Sequence, residues 1–347
     1  DILPELAWNK KDKSDSVTKY RYFNFVAHQF SHNFTKQIGD WCKQNGIDFT
    51  GHYLREPKLL EQAITCGETM RNYGYMGIPG IDMLCNFYEF TTAKQAQSAA
   101  HQYGKEGVLS ELYGVTGWDF DFRGHKLHGD WQAALGVTLR VPHLSWVSMN
   151  GEAKRDYPSS INYQAAWYKK YHLIEDYFAR VNTILTRGKA DVKVAVLHPI
   201  RNLWLTLGTY DNTHQKVEEI CKEFRKLTER LVKNHIDFDY ISESNLVYQN
   251  AGAKDRKFAV ENCEYDVVLI PELITIKSST LEILDSANKN GVRIVSFGDA
   301  PEYIDAVKSD TAQGVFANFE NHENTLVNVA KAIERYRDVE IVENGKL

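Results

Sequence analysis

The sequence predicts an α/β protein in which a portion of a (β/α)8-type barrel, its C-terminal strands, is followed by a flavodoxin-like doubly wound domain. Three observations support this fold class. Helical patterns alternate with short apolar runs, polar and aromatic residues end four successive runs in the first half, and the alternation restarts at Val192 after a long amphipathic segment. Such alternation is typical of βα units with parallel strands.

The first predicted domain, residues 1–189, alternates helices and β-like runs. Apolar residues spaced three and four apart predict a helix over residues 20–45, which Gly46 ends. Further helices are predicted over residues 59–72, 92–103 and 126–135. The β-like runs are IDFTGHYL, IDMLCN, VLSELYG and VTLRVPHLSW, at residues 47–54, 81–86, 108–114 and 137–146. In a (β/α) barrel, the C-terminal ends of the strands carry the active site.

The second predicted domain, residues 190–347, follows an amphipathic helix over residues 163–187. Its β-like runs include VKVAVLHP, YDVVLIPEL and VRIVSFGD, with helices predicted over 213–233 and 280–290. This order is typical of a doubly wound sheet. The turn after the first run, HPIRNLWLTLGTYDN, has no glycine-rich phosphate motif. We therefore expect a structural or oligomerising role for this domain rather than nucleotide or flavin binding.

The composition excludes several classes of protein. The chain has 347 residues, of which 43% are apolar and 25% are charged, and its net charge of −5 argues against duplex nucleic acid as a partner. No apolar run approaches the roughly 20 residues that a membrane helix needs. The five cysteines have no CxxC spacing. Neither nucleic acid nor a membrane is therefore an expected partner.

Glu111 is the first candidate for a catalytic residue. It lies at the end of VLSELYG and precedes a loop that contains two glycines and Trp118. Glycoside hydrolysis passes through an oxocarbenium-like transition state, which a carboxylate stabilises or attacks. The alternative is an exposed loop glutamate without a function.

Glu56 is the second candidate, in the segment GHYLREP. Glycosidases usually need two carboxyl groups, one as general acid and one as nucleophile or base, and we predict that Glu56 is the general acid. The alternative is that Glu56 only stabilises the start of the helix that begins at Leu59, through the helix dipole.

Five residues near the predicted strand ends are candidates for sugar binding: His52, Asp82, Trp118, His143 and Trp146. A carboxylate or imidazole can hydrogen-bond a sugar hydroxyl, and a tryptophan ring can stack on a sugar face. The alternatives are a capping aspartate and core histidines. No cofactor or metal is predicted, although the loop with Asp119, Asp121, Asp130, His125 and His128 leaves a calcium ion open against a solvated polar loop.

Five sequence segments carry a resemblance to a known family. They are GHYLRE, PGID, KQAQSAAHQYGKEGVLSELYGVTGW, GDWQAALGV and HLSWVSMNGEAKRDYP. Together they resemble glycoside hydrolases of family 106, the α-L-rhamnosidase-like group. The layout of a barrel followed by a flavodoxin-like domain is also similar to family 42 β-galactosidases. The resemblance extends from about Tyr20 to Asp299.

The resemblance implies an exo-acting glycosidase of plant or bacterial polysaccharides or glycosides. A layout like family 106 implies an inverting pair, with Glu56 as the acid and Glu111 as the base. A layout like family 42 implies that Glu111 is the nucleophile of a retaining β-galactosidase-like enzyme, with the acid on an earlier strand. In that layout the front strands of the barrel lie outside this chain.

Two further alternatives stay open at this point. The chain could be a non-catalytic carbohydrate-binding or assembly fragment, because half a barrel cannot build a complete site. Half a barrel also has exposed strand edges, which favour a homo-oligomer or pairing with the missing barrel portion. The resemblance favours a bacterial periplasmic or extracellular location over the cytoplasm.

Overall fold

The computed structural model describes residues 4–7, 16–84, 87–152, 157, 159–207, 215–337 and 339–340. Within the resembling segments, Cys85, Asn86, residues 153–156 and Pro158 lie outside the described residues. The described residues form two compact units. We call them the site unit, residues 36–57 and 73–190, and the companion unit, which contains residues 16–35, 58–72 and 191–340 as far as they are described. The predicted domain boundary at residues 189 and 190 stays a prediction.

The helices of the described residues are, in chain order, Pro4–Ala7, Val17–Phe30, the π-helix Ser31–Thr35, Lys36–Gln44, Leu59–Thr65, Thr69–Tyr73, Thr91–Tyr103, Phe122–Ala134, the 3-10 helix Tyr168–Lys170, His172–Leu185, Arg201–Thr206, Gln215–Lys233, Ser278–Lys289, Thr311–Phe316, Leu326–Ile333 and the 3-10 helix Glu334–Tyr336. The predicted helix over residues 59–72 is divided by Gly67, whose positive φ of 77° interrupts helical geometry. A Cβ at Gly67 would lie 2.4 Å from the Cβ of Ala27, so glycine is required there.

The sheet of the site unit has three parallel strands, β1 (Gly80–Asp82), β2 (Val108–Leu112) and β3 (Val137–Pro142), in the order β1-β2-β3. Helices Thr91–Tyr103 and Phe122–Ala134 connect them. Gly104 ends the first of these helices with a left-handed backbone, as glycine commonly does at helix C-termini. The three strands are therefore two successive βα crossovers, as predicted.

The β-like run at residues 47–54 is not a strand, which corrects the prediction for that segment. Gly51 has a φ of 150° and lies directly against the backbone of Gly80. A Cβ at Gly80 would be 2.1 Å from the Gly51 carbonyl oxygen. The segment therefore packs closely against the start of β1 without joining the ladder.

The companion unit is built on a five-stranded parallel sheet. Its strands are β4 (Val194–Leu197), β5 (Phe238–Ile241), β9 (Val267–Ile270), β11 (Arg293–Phe297) and β14 (Glu320–His322), in the order β14-β11-β9-β4-β5. All residues of β4, β5 and β9 are buried, so both faces of the sheet are covered. Val194 and Val196 belong to one apolar core and Ala195 and Leu197 to a second, which places one core on each face.

Two small sheets complete the companion unit. One contains the antiparallel strands β6 (Gly252–Lys254), β7 (Lys257–Val260) and β8 (Cys263–Tyr265). The other contains β10 (Thr275–Ile276), β12 (Tyr303–Ile304) and β13 (Val307–Lys308). In the described part of the chain, no helix has the length and apolar character that crossing a membrane requires.

Candidate active site

The carboxyl ends of β1, β2 and β3 bring the predicted site residues of three separate segments together. Asp82, the last residue of β1, is the direct register partner of Glu111 in β2. His143 follows the end of β3, and its backbone N–H donates to the Leu112 carbonyl over 2.7 Å. Since parallel strands place their carboxyl ends at one edge of the sheet, all three side chains share that edge.

Two histidines hold the carboxylate of Glu111, one at each oxygen. His52 Nε2 lies 2.8 Å from Oε2, and His143 Nε2 lies 3.5 Å from Oε1. The Glu111 side chain is 29% exposed, so a ligand can reach it. The hydrogen bond from His52 and the nearby imidazole of His143 hold the carboxylate in one orientation.

Asp82 extends this arrangement to a second carboxyl group. Its Oδ2 lies 4.0 Å from Nδ1 of His52, so His52 lies between the two acids. Burial raises the pKa of Asp82, and the charge of Glu111 raises it further, whereas His52 and His143 oppose the increase. This strand edge therefore carries two carboxyl groups, the number that glycoside hydrolysis commonly uses.

Three polar atoms of this site are buried without a hydrogen-bond partner in the described part of the chain: His52 Nδ1, His143 Nδ1 and Asp82 Oδ1. A buried polar atom without a partner costs free energy. These three atoms can each take a further hydrogen bond, from water or from a ligand.

The backbone that follows Glu111 is strained. Tyr113 and Val115 have φ values of 69° and 59°, which are unfavourable for residues with side chains and most unfavourable for a β-branched one. Tyr113 is fully buried, and its hydroxyl donates to the His125 carbonyl over 3.1 Å. Its burial and hydrogen bond keep the strained turn in place, and this turn sets the position of Glu111 at the strand end.

Glu56, the predicted general acid, is buried, with 1% of its surface exposed. Its Oε1 accepts a 2.6 Å hydrogen bond from the Tyr73 hydroxyl and a 3.2 Å bond from the Tyr53 N–H. The Asp82 backbone also donates to this carboxyl group. Burial raises the pKa of Glu56 to about 8, although these hydrogen bonds lower it. Glu56 is therefore protonated at neutral pH.

The predicted aromatic residues lie in the loops after β2 and β3. Trp118 is 41% exposed, and Trp146 is partly buried, with a backbone carbonyl that accepts from Gln164 over 2.9 Å. Tyr157 was not predicted, yet its ring centroid lies 6.4 Å from that of His143 in an edge-to-face arrangement. Its place in the segment MNGEAKRDYP, which carries part of the resemblance, is the signal that could have identified it.

The acidic residues for which the sequence left a calcium ion as an alternative are bonded to other protein groups. Asp121 caps the helix Phe122–Ala134 by accepting from the N–H groups of Arg123 and Gly124. Asp130 pairs with Lys126 and accepts from the Tyr177 hydroxyl. Among the described residues, no group of three or more His, Cys, Asp or Glu side chains has an arrangement that could hold a metal ion.

With this geometry established, the chain can be placed among known proteins. Residues 7–337 match the model of glycoside hydrolase family 106, described as alpha-L-rhamnosidase. This match covers nearly the whole chain, so the chain belongs to that family of glycoside hydrolases.

Individual proteins agree with this assignment at lower similarity. A curated protein from Formosa agariphila, provisionally named a beta-glucuronidase, is 24% identical over 307 residues, which are 84% of this chain and 23% of that protein. The solved rhamnosidase of Novosphingobium sp. PP1Y is 15% identical, with a TM-score of 0.65 over 92% of this chain and 31% of its own.

A second fold relative comes from another family. A catalytic mutant of a family 42 beta-galactosidase from G. stearothermophilus is 11% identical, with a TM-score of 0.57 over 84% of this chain and 43% of its own. At these identities the likeness establishes a shared mixed α/β fold with parallel sheets. The chain spans less than half the length of each of these relatives.

Proposed function

We propose that this chain carries the catalytic carboxylate of an exo-acting glycoside hydrolase that removes terminal α-L-rhamnose from a polysaccharide or glycoside. The observation that carries the proposal is the carboxylate of Glu111, held by His52 and His143 beside Asp82 at the strand ends. Family membership supports the reaction class, and the description of the family supports the sugar.

In this proposal Glu111 is the base or the nucleophile. As the base of an inverting enzyme, it takes a proton from the water that attacks the anomeric carbon. As the nucleophile of a retaining enzyme, it attacks that carbon itself. In both cases the negative charge of Glu111 stabilises the oxocarbenium-like transition state, and the hydrogen bond with His52 keeps the carboxylate oriented.

Glu56 remains our candidate for the general acid that protonates the leaving oxygen. Its raised pKa of about 8 supports this role, because a general acid must be protonated at the working pH. Glu56 is buried, however, which makes Asp82 a second candidate for the general acid. The Asp82 side chain is 31% exposed, and the pKa of Asp82 is also raised. Glu56→Gln and Asp82→Asn variants separate the two candidates. Loss of an acid slows glycosides with poor leaving groups far more than activated aryl glycosides.

We also propose that the site unit is part of a (β/α)8-type barrel and that residues 190–347 form a flavodoxin-like domain. Three parallel strands in consecutive order, joined by helices, support the barrel. In chain order, the five strands of the companion sheet are arranged 2-1-3-4-5, the order of flavodoxin-like sheets. Within the described residues, β1 and β3 each pair only with β2, which supports pairing with further barrel strands.

Two other functions are supported by specific observations. The family 42 relative supports a β-galactosidase-like retaining enzyme, with Glu111 as nucleophile. The partial coverage of every relative supports a carbohydrate-binding or assembly fragment that needs other segments for activity.

The test is hydrolysis of chromogenic glycosides by the chain and by the longest protein that contains it. The panel contains α-L-rhamnoside, β-D-galactoside and β-D-glucuronide, and each is offered to the wild type, Glu111→Gln and the control Glu282→Gln. Glu282 is exposed on a helix of the companion unit. We expect the wild type and Glu282→Gln to hydrolyse the rhamnoside, and Glu111→Gln to lose this activity. Full activity of Glu111→Gln would refute the assignment, and turnover of another sugar alone would replace rhamnose.

A further inference from the structure

The backbone turns sharply after Glu111, and the turn redirects the side chain of Tyr113. In a continued strand, residues two apart lie on the same face of the sheet, so Tyr113 would lie beside Glu111. The φ of Tyr113 is 69° instead, which is outside the extended region. Its hydroxyl donates to the carbonyl of His125 in the helix Phe122–Ala134 over 3.1 Å. The Tyr113 side chain therefore reaches the helix that follows β2.

Arg140 contacts the same hydroxyl from β3. It is the register partner of Ser110 in β2, and the next residue, Val141, is the partner of Glu111. Because side chains alternate along a strand, Arg140 and Glu111 point to opposite faces of the sheet. Nη1 of Arg140 donates to the Tyr113 hydroxyl over 3.4 Å. The strained turn therefore takes the Tyr113 hydroxyl to the face opposite to the Glu111 carboxylate.

The guanidinium of Arg140 is itself fixed by the helix His172–Leu185. Its side chain is 7% exposed, and its Nη2 donates to Oε2 of Glu175 over 2.7 Å. The guanidinium carbon lies 3.8 Å from the centroid of the Phe178 ring. A planar guanidinium can pair with a carboxylate, stack on an aromatic ring and donate to a third group at once, which a lysine ammonium cannot. Arg140 is therefore a fixed donor to Tyr113.

The space around the Tyr113 hydroxyl is tightly packed. A Cβ at Gly129, in the helix Phe122–Ala134, would lie 2.8 Å from the Tyr113 hydroxyl oxygen and 2.1 Å from Cζ of Phe178. Glycine at this position lets both rings lie directly against the helix backbone. The Tyr113 ring therefore cannot move towards the helix without displacing Phe178 or the helix itself.

We propose that Arg140 is a positioning residue for Glu111. It holds the Tyr113 hydroxyl on the face opposite to Glu111, which keeps the strained turn in place and leaves the face beside the carboxylate open to a ligand. A strained backbone persists only where surrounding contacts fix it, and Arg140 and the His125 carbonyl supply such contacts. The catalytic role of Glu111 rests on the proposed glycosidase function, whereas the hold on its position does not.

Nuclear magnetic resonance of ¹⁵N-labelled histidine side chains tests this hold without a substrate. His52 Nε2 lies 2.8 Å from Oε2 of Glu111, so its signal reports the position of that carboxylate. His52→Gln identifies the signal by its loss, and Glu111→Gln gives the value of the signal without the carboxylate. The test variants are Arg140→Met and Tyr113→Phe. Arg180→Met is the control, since Arg180 is exposed on a helix of the same unit.

We expect both test variants to move the His52 signal towards its value in Glu111→Gln, and Arg180→Met to leave it unchanged. On the preferred glycoside, both should lower kcat about 10-fold with little change in KM, because a displaced carboxylate weakens transition-state stabilisation more than substrate binding. Wild-type His52 signals in both test variants would refute the proposal. A His52 signal that Glu111→Gln does not move would refute the contact on which it rests, and an unchanged kcat despite a moved signal would refute the positioning role.

Circular dichroism checks that each variant is folded. If Arg140→Met is not folded, Glu175→Gln replaces it, because this substitution removes the charged partner of Arg140 at a side chain that is partly exposed. Failure of the glycosidase proposal is distinguishable from failure of this one. The wild type would then hydrolyse no glycoside, while the His52 signal would still respond to the variants of Arg140 and Tyr113.

Discussion

Each of the two main parallel sheets carries charged side chains at its carboxyl edge, but the two sets differ in burial. At the edge of β1–β3, the side chains of Glu111, His52 and His143 are 15–29% exposed. At the edge of β4 and β5, Glu68 and Arg201 are 1% and 4% exposed. The first edge is open to a ligand, and the second is packed like a structural core.

In the companion unit, the buried carboxylate of Glu68 lies among hydroxyl and guanidinium groups of the same unit. Oε2 of Glu68 accepts a 2.6 Å hydrogen bond from the Ser244 hydroxyl and lies 3.3 Å from the Arg71 guanidinium. Arg71 and Arg201 both donate to Ser244 Oγ, over 2.7 and 3.1 Å. Burial favours a higher pKa for Glu68, but the two guanidinium groups and the serine hydroxyls lower it overall. Glu68 is therefore ionised and neutralised where it lies.

The comparison teaches that a strand-end carboxylate is not by itself an active site. In doubly wound sheets a ligand binds at the carboxyl edge, near the switch point of the strand order. In this chain Arg71 and Tyr20, from segments far from the sheet in sequence, occupy this edge together with Arg201. Side chains of this chain fill the space around the Glu68 cluster, so the cluster has a structural role. The Glu111 side chain is partly exposed, so a ligand can reach it.

The largest expected effect comes from making the same substitution, glutamate to glutamine, at each of the two edges and comparing the results. Glu111→Gln should lower kcat by about 10³-fold or more and change the free energy of unfolding by less than about 1 kcal/mol, because Glu111 is partly exposed. Glu68→Gln should retain the catalytic constants of the folded fraction but lose about 3–5 kcal/mol, since it leaves the buried guanidinium of Arg71 without its ion-pair partner. Kinetics and urea unfolding on both variants check this, and similar losses of stability would contradict the contrast.

Glu56 predicts a pH dependence of stability. Its pKa in the folded protein is about 8, above the ordinary value of 4.5. Below pH 4.5 both states bind the proton. As pH rises from 4.5 towards 8, only the folded state retains it, so Glu56 lowers stability progressively by a few kcal/mol. Glu56→Gln, which imitates the protonated form, should be more stable than the wild type at pH 8 and equal to it at pH 4. Urea unfolding at both pH values measures this, with Glu282→Gln as control, and a pH-independent difference would contradict it.

The two histidines should differ in their effect on catalysis. His52→Gln should lower kcat by about 10- to 100-fold, and His143→Gln by less, because the His52 contact to Glu111 is 2.8 Å and the His143 contact is 3.5 Å. His172→Gln is the matched control, since His172 is exposed and pairs only with Asp176 among the described residues. Steady-state kinetics on the preferred glycoside checks the order, and unchanged activity of His52→Gln would contradict the site geometry.

The smallest expected effect concerns Gly114. A Cβ at this position would lie 2.9 Å from both the His143 ring and Cδ2 of Leu84. Gly114→Ala should therefore displace His143, lower kcat a few-fold and cost about 1 kcal/mol of unfolding free energy. Gly252→Ala, where a Cβ meets no atom within 4 Å, is the control. Equal kinetics for both variants would show that His143 can move without consequence.

Several features of the fold follow from local pattern alone. The spacing of apolar residues predicts the strands β2 and β3, the helices between them and the alternation after residue 190. It does so because each element buries one face or both. The candidates Glu111, Asp82 and His143 share one strand edge because parallel strands place their carboxyl ends together. His52 reaches Glu111 from a segment that is not a strand. Residues 163–187, predicted as one helix, show the limit of this reasoning. The α-helix begins only at His172, since Gln164 and Asn162 instead donate to the Trp146 carbonyl.

The sequence by itself determined most of the alternating elements, the family resemblance and the residues near the strand ends. Each of these can be read from short stretches of neighbouring residues. Tertiary structure alone decided which carboxylates are exposed. Glu56 is a candidate beside Glu111 in the sequence, yet long-range packing buries it against Tyr73, as it buries Glu68 against Arg71 and Arg201. Burial and charge pairing depend on residues distant in the chain. Those contacts separate a carboxylate that can catalyse from one that holds the protein together.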